Sequence, residues 1–194
     1  FNEEQRIGAV LEKLRAQKGS WHSLEIVIVD SGSSDKTLEI AQKYDTHIIT
    51  MKPEDFNYSA ALNMGIELAK GDIIVIISGH AVPCSDDWLE KLALHFNDSR
   101  VAGVYCRQIP WPDAPWHEIE RLESQFPPVS RRFSRNDSLE LMHFSNAASC
   151  IGRKCWIQHP FSVASAAEDF EWSELMIRKG YDIVYEAGGS VFHS

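Results

Sequence analysis

Three polar segments carry residue types that could do chemistry, at residues 30–36, 78–83 and 166–172. The first lies in the stretch VDSGSSDKT, which follows an apolar run and ends in Lys-Thr, as a phosphate-binding loop does. Such a loop needs glycine where its backbone bends around phosphate, in the pattern G-x-x-x-x-G-K-[ST]. Asp30 and Asp35 occupy the two glycine positions, so the sequence excludes that mode of phosphate binding. What remains is a strand that ends in a carboxylate, followed by a polar turn that opens a helix.

Alternating sequence periods predict the elements that must position these segments. Apolar residues at helical spacing predict helices over 7–14, 37–44, 59–70, 88–96 and 116–125. Apolar runs suited to buried strands lie at 24–30, 47–50, 72–78 and 101–106. This alternation predicts an α/β fold with a mostly parallel sheet flanked by helices. Ligands of such sheets bind beyond the carboxyl ends of the strands, where Asp30 and Ser78 lie.

Composition and charge narrow the class of protein. The 194 residues fit one domain, and a 44% share of hydrophobic residues supports a packed core. A formal net charge of -9 argues against a nucleic-acid partner, whose binding surface needs a basic patch. No apolar run reaches the roughly 18 residues of a membrane span, and membrane association stays open. The four cysteines form no C-x-x-C pair, which favours reduced buried thiols and a cytoplasmic location.

Each polar segment also has an ordinary structural explanation. Asp30 and Asp35 fit a cap of the helix that follows them. His80 fits a turn histidine with satisfied hydrogen bonds, and the adjacent Glu168 and Asp169 fit the first turn of a helix, where the dipole favours acids. For each segment alone, the structural explanation is better than a functional one. Only the three segments together indicate a functional site.

Five stretches together resemble the catalytic domain of the family 2 glycosyltransferases, which has the GT-A fold. FNEE at 1–4 resembles the family's first turn, and VDSGSSDKT at 29–37 resembles its nucleotide-binding strand and turn. FNYSAALNMGIELAKGD at 56–72 resembles the helix before its central strand, and ISGHAVP at 77–83 lies at the position of its metal-binding Asp-x-Asp. AAEDFEW at 166–172, followed by RKGYDIVYEAGGSVFHS, resembles its catalytic Glu-Asp helix with the closing strand. Their order and separation carry the resemblance, which covers nearly the whole chain.

The resemblance implies a single catalytic domain over residues 1–194. Its nucleotide-binding half is expected over about 1–106 and its acceptor half over about 107–194. The family begins with an apolar strand at the centre of its sheet, and this sequence starts after that point, so the first strand of the fold is expected to be missing. The irregular, proline-containing segment 107–140 is expected to fold over the site.

The resemblance also implies contacts to a nucleotide-sugar donor. Asp30 is expected to accept a hydrogen bond from the nucleotide base, and Glu3 or Glu4 to make a second contact to base or ribose. Ser78 and His80 are expected beside the diphosphate. The loop at residues 30–36 is therefore expected to contact the base, and the phosphates are expected near residues 78–80.

The acceptor side of the site is expected near the Glu-Asp pair. Asp169 is the expected general base, because an acceptor hydroxyl needs a positioned group to take its proton. Glu168 precedes it, and neighbours along a helix point about 100° apart, so only one of the two is expected to face the acceptor. Trp172 either stacks on a sugar ring or packs in the core. Asn146 and Ser149 either shape the sugar pocket or form a plain strand edge.

The diphosphate needs a balancing positive charge, and here the sequence departs from the family. Ser78-Gly79-His80 replaces Asp-x-Asp, so the carboxylate oxygens that suit Mg²⁺ or Mn²⁺ are absent. His80 and His193, which matches the family's closing histidine, are the expected ligands of a divalent metal. The metal-free alternative uses protonated His80 or a basic residue, namely Arg107, Arg131 or Arg132.

The implied reaction is inverting transfer of a sugar from a UDP- or dTDP-sugar to a hydroxyl of a saccharide or lipid-linked saccharide. The sequence most resembles rhamnosyltransferase-like members that build bacterial surface polysaccharides, in the cytoplasm or peripherally at the inner membrane face. One alternative is a degenerate sugar-nucleotide-binding domain, although such a domain would not need the Glu168-Asp169 pair. The other is a nucleotidyltransferase, which usually opens with a glycine-rich basic loop that this sequence lacks.

Overall fold

The computed structural model describes residues 1–164 and 167–194 of the chain. The α-helices are α1 Ile7–Arg15, α2 Thr37–Ala41, α3 Tyr58–Leu68, α4 Trp88–Ala93, α5 Trp116–Gln125, α6 Arg153–Gln158 and α7 Glu168–Arg178. The strands are β1 Val27–Asp30, β2 His47–Thr50, β3 Ile73–Ile77, β4 Val82–Pro83, β5 Val101–Ile109, β6 Arg131–Phe133, β7 Ala148–Gly152 and β8 Asp182–Phe192. Every helix and strand predicted from periodicity is present, with ends that differ by a few residues.

Local sequence explains where the helices that carry the site begin and what they bury. The buried face of α1 consists of Ile7, Val10, Leu11 and Leu14, the stripe that helical spacing predicts. Helix α3 begins after Asn57, whose side-chain oxygen accepts a hydrogen bond from the backbone nitrogen of Ala60 at 3.1 Å. The first turn of α7 contains Glu168, Asp169 and Glu171, which the helix dipole favours at that end.

The strands form two sheets. Strands β1 and β2 pair in parallel, and a six-stranded sheet has the order β3-β7-β5-β8-β4 with β6 also paired to β8. Within the larger sheet β5 and β8 run parallel, whereas the β3–β7, β5–β7, β4–β8 and β6–β8 pairs are antiparallel. The α/β class is confirmed, and the sheet is mixed where a mostly parallel one was expected. A continuous apolar run indicates burial on both faces, as in β5, and does not fix strand direction.

A cavity of about 460 Å³ lies beside β3 and the segment that precedes β1. Leu24 and Glu25 line it on the side of β1, and Ile73 and Val75 of β3 line it on the other. The Glu25 carboxylate accepts hydrogen bonds from the backbone nitrogens of Lys70 and Gly71, which ties the approach to β1 to the approach to β3. Among the described residues β1 and β3 belong to different sheets, and this carboxylate links the segments that precede them.

The larger sheet separates two apolar layers. Residues of α3, α5, α6 and α7 pack on one face, among them Ile66, Leu122, Trp156 and Trp172. Residues of α1, α2 and α4 pack on the other face, among them Val10, Ala41 and Trp88. Neighbouring residues of β7 alternate between the layers, since Cys150 joins the second and Ile151 the first. This gives the three-layer arrangement of an α/β domain.

The cysteines are free thiols, as the sequence predicts. Cys106, Cys150 and Cys155 are buried, and Cys84 is half-buried. Burial raises the pKa of Cys106 to about 12, which keeps this thiol protonated at neutral pH. These cysteines therefore act as small apolar residues. Among the described residues, no helix is both long and apolar enough to cross a bilayer.

Candidate active site

Reciprocal hydrogen bonds join the turn at residues 2–4 to the loop at residues 33–37. The backbone nitrogens of the turn donate to side chains of the loop: Asn2 to Ser33 Oγ at 2.9 Å, Glu3 to Thr37 Oγ1 at 2.7 Å, and Glu4 to Asp35 Oδ2 at 3.1 Å. In return, backbone nitrogens of the loop donate to side chains of the turn: Ser34 to Asn2 Oδ1 at 2.9 Å and Lys36 to Glu4 Oε2 at 3.0 Å. The network leaves the Glu3 side chain free for another contact.

Asp30 ends β1 with its side chain almost fully buried. Its Oδ2 atom accepts hydrogen bonds from the backbone nitrogens of Gly32 and Ser33, both at 2.9 Å, and its Oδ1 atom accepts one from the Ser33 hydroxyl at 2.5 Å. Gly32 has a φ of 92°, a region that favours glycine. Asp30 therefore stabilises the turn after β1. A nucleotide base could bond to this carboxylate only through the lone pairs that the three hydrogen bonds do not use.

Asp35 starts helix α2. Its Oδ1 atom accepts hydrogen bonds from the backbone nitrogen of Thr37 at 2.9 Å and from the Thr37 hydroxyl at 2.6 Å. Hydrogen bonds with Thr37 and Glu4 lower the pKa of this carboxyl, although desolvation acts in the opposite direction. The contacts of Asp35 therefore support a structural role, in which its side chain stabilises the start of helix α2.

His80 is brought to His193 by the short strand β4. Strand β4 pairs antiparallel with the end of β8, with Val82 opposite Phe192. Residues just before β4 consequently lie beside residues just after β8. The Nε2 atoms of His80 and His193 are 3.1 Å apart, and the ring centroids are 4.9 Å apart with planes at 21°. The two histidines that the sequence names as metal ligands are therefore in contact, and metal binding by them stays a prediction.

The other ring nitrogen of His80 faces the first turn of the chain. His80 Nδ1 lies 2.8 Å from Glu3 Oε1 and 3.0 Å from the Ser78 hydroxyl. A Cβ atom at Gly79 would lie 3.1 Å from Cγ of Glu3, so glycine leaves room for the Glu3 side chain. Glu3 was expected to touch base or ribose; in this structure its carboxylate is taken up by His80, because the turn network directs it toward the end of β3.

His193 stays neutral far below the usual histidine range. Burial first, and then the nearby charges of His80 and Arg121, lower its pKa to about 4. Its Nδ1 atom is buried and has no hydrogen-bond partner among residues 1–164 and 167–194. At neutral pH the imidazole of His193 therefore keeps one nitrogen lone pair available to a proton donor or a metal ion.

A cavity of about 400 Å³ joins these histidines to the expected catalytic acids. Its polar lining consists of Ser78, His80, Asn146, Glu168, Asp169 and His193, and its apolar lining includes Tyr58, Leu62, Ile76 and Ile77. Asp169 Oδ2 accepts a long hydrogen bond of 3.4 Å from the backbone nitrogen of Asn146. Ala166, the first residue of the AAEDFEW motif, lies outside the described residues.

Glu168 and Asp169 are the first two residues of α7, and both line this cavity. That only one of them faces the acceptor stays a prediction.

Two expected substrate contacts are core residues instead. Trp172 is 3% exposed, packs against Phe144 and Phe161, and donates its indole N–H to the backbone oxygen of His159 at 2.8 Å. Ser149 lies on β7, fully buried, and donates its hydroxyl to Asn146 Oδ1 at 3.0 Å. Trp172 therefore packs in the core because its position on α7 faces the sheet, and Ser149 supports Asn146 from inside the sheet.

Asn146, the third expected substrate contact, lines the same cavity as Asp169. Its Nδ2 donor is buried without a hydrogen-bond partner in the described residues. A buried donor with no partner usually has a functional or solvent explanation. Asn146 can therefore serve as a donor to a bound hydroxyl once the amide turns toward the cavity.

Sequence reasoning missed a cation beside His80. The guanidinium of Arg6 lies 3.8 Å from the ring centroid of Trp111, and the Trp111 ring stacks on Phe192 at 5.0 Å. Arg6, Trp111 and His80 line a cavity of about 490 Å³ that also has carboxylates of Glu3 and other residues in its wall. In the part of the chain described, the Arg6 guanidinium forms no ion pair. The position of Arg6 near the first turn was the available signal.

The basic residues named from sequence have other partners. Arg132 forms ion pairs with Asp98 and Asp182, and Arg107 donates from Nε to the backbone oxygen of Phe126 at 3.2 Å. Arg131 lies over the ring of Phe133, and it lines a different cavity, near Tyr185. Arg132, one of the three arginines named for the metal-free alternative, is therefore engaged in an ion-pair network, whereas Arg6 shares a cavity with His80.

The fit of a divalent metal depends on the histidine pair. Two imidazole nitrogens suit a transition-metal ion better than Mg²⁺, which prefers oxygen ligands in octahedral geometry. Within residues 1–164 and 167–194 no group of three or more His, Cys, Asp or Glu side chains is arranged to hold a metal ion. If a divalent ion binds here, His80 and His193 would supply only two of its ligands, and a bound diphosphate would have to supply the others.

The fold is that of the class that the sequence resembles, a GT-A glycosyltransferase domain. The chain belongs to the family described as glycosyl transferase family 2, whose sequence model matches residues 1–157. It is 30% identical over 189 residues to the O-antigen chain rhamnosyltransferase WbaN of Salmonella anatum, covering 92% of this chain and 59% of WbaN. It is 25% identical over 178 residues to the O-antigen chain rhamnosyltransferase RfbN of Salmonella typhimurium, covering 88% of this chain and 57% of RfbN. The chain thus spans less than two thirds of the length of these relatives.

Solved structures confirm the fold. The S. aureus protein TarS superposes with a TM-score of 0.76 at 16% identity, over 98% of this chain and 57% of that chain. The mannosyltransferase PcManGT of Pyrobaculum calidifontis, solved with GDP-Man and Mn²⁺, superposes with a TM-score of 0.74 at 19% identity, over 100% of this chain and 54% of that chain. At these identities the similarity establishes the architecture and leaves the substrate to other arguments.

Proposed function

We propose that the chain catalyses transfer of a sugar from a UDP- or dTDP-sugar to an acceptor hydroxyl, with inversion at the anomeric carbon. The observation that carries the proposal is one cavity in which Asp169 faces the same space as Ser78, His80 and His193. An acid that can take a proton and groups that can hold a diphosphate are the two requirements of this chemistry. The cavity draws on both expected halves of the chain, 1–106 and 107–194.

Asp169 acts as the general base in this proposal. Asp169 is half-buried, and its carboxylate accepts hydrogen bonds from the backbone nitrogens of Asn146 at 3.4 Å and Phe170 at 2.7 Å, which leaves acceptor capacity for a substrate hydroxyl. A base on the acceptor side removes the proton while the hydroxyl attacks the anomeric carbon from the face opposite the diphosphate. Glu168 lines the same cavity and is assigned to binding the acceptor or donor sugar.

Ser78, His80 and Arg6 are assigned to the diphosphate. The hydroxyl of Ser78 and the imidazole of His80 line the catalytic cavity, and Arg6 lines the neighbouring cavity that also reaches His80. If a divalent metal binds, His80 and His193 hold it, and the ion supplies the charge that neutralises the leaving diphosphate. Arg6 and the Ser78 hydroxyl contribute donors and charge with or without the ion.

The relatives guide the choice of donor and acceptor. The two O-antigen chain rhamnosyltransferases favour a deoxyhexose donor and a role in bacterial surface polysaccharide synthesis. The apolar wall formed by Leu62, Ile76 and Ile77 is compatible with a sugar that carries a methyl group. A dodecaprenyl-phosphate galacturonate synthase of Rhizobium johnstonii, 32% identical over 127 residues, favours a lipid-linked acceptor. A cytoplasmic location, peripheral to the membrane, remains part of the proposal and is supported by the free thiols.

A catalytically degenerate domain that only binds sugar nucleotides is the second candidate. The replacement of Asp-x-Asp by Ser78-Gly79-His80 favours it, because the usual carboxylate ligands of the metal are absent. The presence of both Glu168 and Asp169 in the cavity favours the enzyme, since a binder needs no base. A nucleotidyltransferase gains no support from the family match.

Turnover of nucleotide-sugars separates the candidates. The chain is incubated with UDP- and dTDP-linked hexoses and deoxyhexoses, with and without lipid-linked saccharide acceptors, and the released nucleoside diphosphate and glycosylated acceptor are measured. The proposal expects diphosphate release that depends on the acceptor and is lost in Asp169→Asn. Tight nucleotide binding with no release in any combination would identify the degenerate binder.

A further inference from the structure

The hydrogen bonds of His80 specify which of its nitrogens carries a proton. Nδ1 lies 2.8 Å from Glu3 Oε1, and a carboxylate oxygen accepts hydrogen bonds without donating one. Nε2 faces Nε2 of His193 at 3.1 Å. The Ser78 hydroxyl lies 3.0 Å from Nδ1 and 3.3 Å from Nε2, and a hydroxyl can donate or accept, so Ser78 does not decide the tautomer. The carboxylate of Glu3 is the partner that decides it.

Glu3 is held rigidly for this contact. Its backbone nitrogen donates to the Thr37 hydroxyl at 2.7 Å, and its backbone oxygen accepts from the backbone nitrogens of Arg6 and Ile7 at the start of α1. Its side chain is 24% exposed and that of His80 is 32% exposed, so the pair is shielded from much of the competing solvent. Gly79 leaves the space that the methylene groups of Glu3 occupy.

We propose that Glu3 is a positioning residue for His80: it accepts the Nδ1 proton and leaves Nε2 as the nitrogen that faces His193 and the donor diphosphate. This inference rests on the proposed function for the role of the diphosphate. Carboxylates that accept the second N–H of a ligating histidine fix its tautomer and ring orientation in the same way. The role differs from the base or ribose contact that the sequence predicts for Glu3, and it couples the first turn of the chain to the Ser-Gly-His segment.

The tautomer of His80 can be measured directly. Long-range ¹H–¹⁵N correlation spectra of the whole chain, with ¹⁵N-labelled histidine and His80 assigned by loss of its signals in His80→Gln, report which ring nitrogen carries hydrogen at neutral pH. The wild type is expected to have a protonated Nδ1, and Glu3→Gln to retain it because the amide oxygen accepts the same bond. Glu3→Ala and Glu3→Met are expected to shift the population toward the Nε2–H tautomer.

The controls keep this test decisive. Glu4→Ala removes a carboxylate from the same turn without touching His80, and its His80 spectrum should match the wild type. Glu3→Met fills the volume of Glu3 with no comparable acceptor, so it serves if the alanine variant folds poorly. An unprotonated Nδ1 in the wild type, or an unchanged spectrum in Glu3→Met, would overturn the inference.

Nucleotide binding adds a functional readout. Titration with UDP or dTDP should show affinity near the wild type for Glu3→Gln and a loss of roughly tenfold or more for Glu3→Met, the cost typical of removing the partner of a ligating histidine. Equal losses in both variants would indicate a direct role of the carboxylate charge and overturn positioning. If the wild type binds no nucleoside diphosphate, the proposed function fails, while the spectra still decide the role of Glu3.

Discussion

His80 and His193 approach each other through their Nε2 atoms, which are 3.1 Å apart although the residues are 113 positions apart in sequence. The distance suits a hydrogen bond if one nitrogen carries a proton. It is also close to the separation of about 3.3 Å that follows for two nitrogens each about 2.0–2.1 Å from one tetrahedral ion. A hydrogen-bonded proton or a metal ion can therefore occupy the same contact. Charge at the diphosphate would be balanced by the ion or by a second proton that makes the pair cationic, because a hydrogen bond between two neutral imidazoles carries no net charge.

Asp169→Asn should abolish transfer while leaving nucleotide affinity nearly unchanged. The change removes the proton acceptor but keeps the size and the hydrogen-bonding capacity of the side chain, and loss of a general base typically costs roughly 10²–10⁴-fold in rate. Turnover assays and calorimetric titration with UDP or dTDP measure the two quantities. Glu174→Gln is the matched control, because Glu174 lies on the same helix and pairs with Arg178 at 2.7 Å. Wild-type turnover in Asp169→Asn would remove Asp169 from the role.

Asp30→Ala should weaken binding of donor and free nucleoside diphosphate alike, and should also lower stability. The backbone nitrogens of Gly32 and Ser33 lose their acceptor, and an unsatisfied buried donor costs roughly 1–3 kcal/mol. Urea unfolding measures the stability and titration measures the affinity. Ser33→Ala removes one bond to Asp30 and keeps the carboxylate, so it separates loss of the turn from loss of a base contact. Unchanged diphosphate affinity in Asp30→Ala would place the base elsewhere.

The sequence was sufficient to predict the helices and strands and most of the polar residues that line the catalytic cavity. Buried apolar runs and helical stripes depend on neighbours a few residues away, so β3 and α1 could be predicted from local patterns. The contact of His80 with His193 depends on β4, a strand of two residues that leaves no periodic signal. The fold-family resemblance, and not periodicity, brought these histidines together in the prediction.

Tertiary packing decided the features that the sequence left open. Helical periodicity predicts that Asp169 and Trp172, three residues apart, share a face of α7. In the structure Trp172 packs in the core, whereas Asp169 lines the cavity. The stack of Arg6 on Trp111 joins residues 105 positions apart, and no local pattern encodes it. Strand direction was also undetermined, since β5 reads as a buried strand whichever way its neighbours run.

Stability should depend on pH through His193. Its pKa is lowered to about 4 in the folded chain by burial and by nearby positive charge, against 6.5 for the ordinary side chain. Between these values the unfolded chain binds more protons than the folded one, so the free energy of unfolding rises with pH in this window. The contribution is fully present above about pH 6.5 and is lost as the pH falls toward about 4.

The variant His193→Gln isolates this contribution, because glutamine does not titrate. Urea unfolding at several values between pH 4.5 and 7 should give a shallower pH dependence for the variant than for the wild type, with other groups contributing equally to both. Parallel curves for the two proteins would show that His193 titrates normally in the folded chain.

Arg6→Gln should reduce affinity for UDP or dTDP on the order of tenfold, whether or not EDTA is present. Hydrogen bonds to charged groups contribute roughly 1.5–3 kcal/mol, and the stack on Trp111 holds the guanidinium in place before the ligand arrives. Arg15→Gln is the matched control on the same helix, since Arg15 pairs with Asp45 and lies away from His80 in the contacts described. Equal affinities for Arg6→Gln and Arg15→Gln would show that Arg6 only braces Trp111.

Three variants, namely His80→Ala, His193→Ala and the double variant, test whether a metal ion assists nucleotide binding. If the two histidines hold one ion against the diphosphate, each single change should weaken UDP or dTDP binding in Mn²⁺, and the double change should cost little more than either alone. EDTA should reduce wild-type affinity to the level of the variants. Binding should also weaken from pH 7.5 to pH 5.5, because protons compete with the ion for imidazole lone pairs. A cationic His80 requires the reverse: tighter binding at the lower pH, no response to EDTA, and a large loss in His80→Ala with little loss in His193→Ala, since His193 stays neutral down to a pKa of about 4.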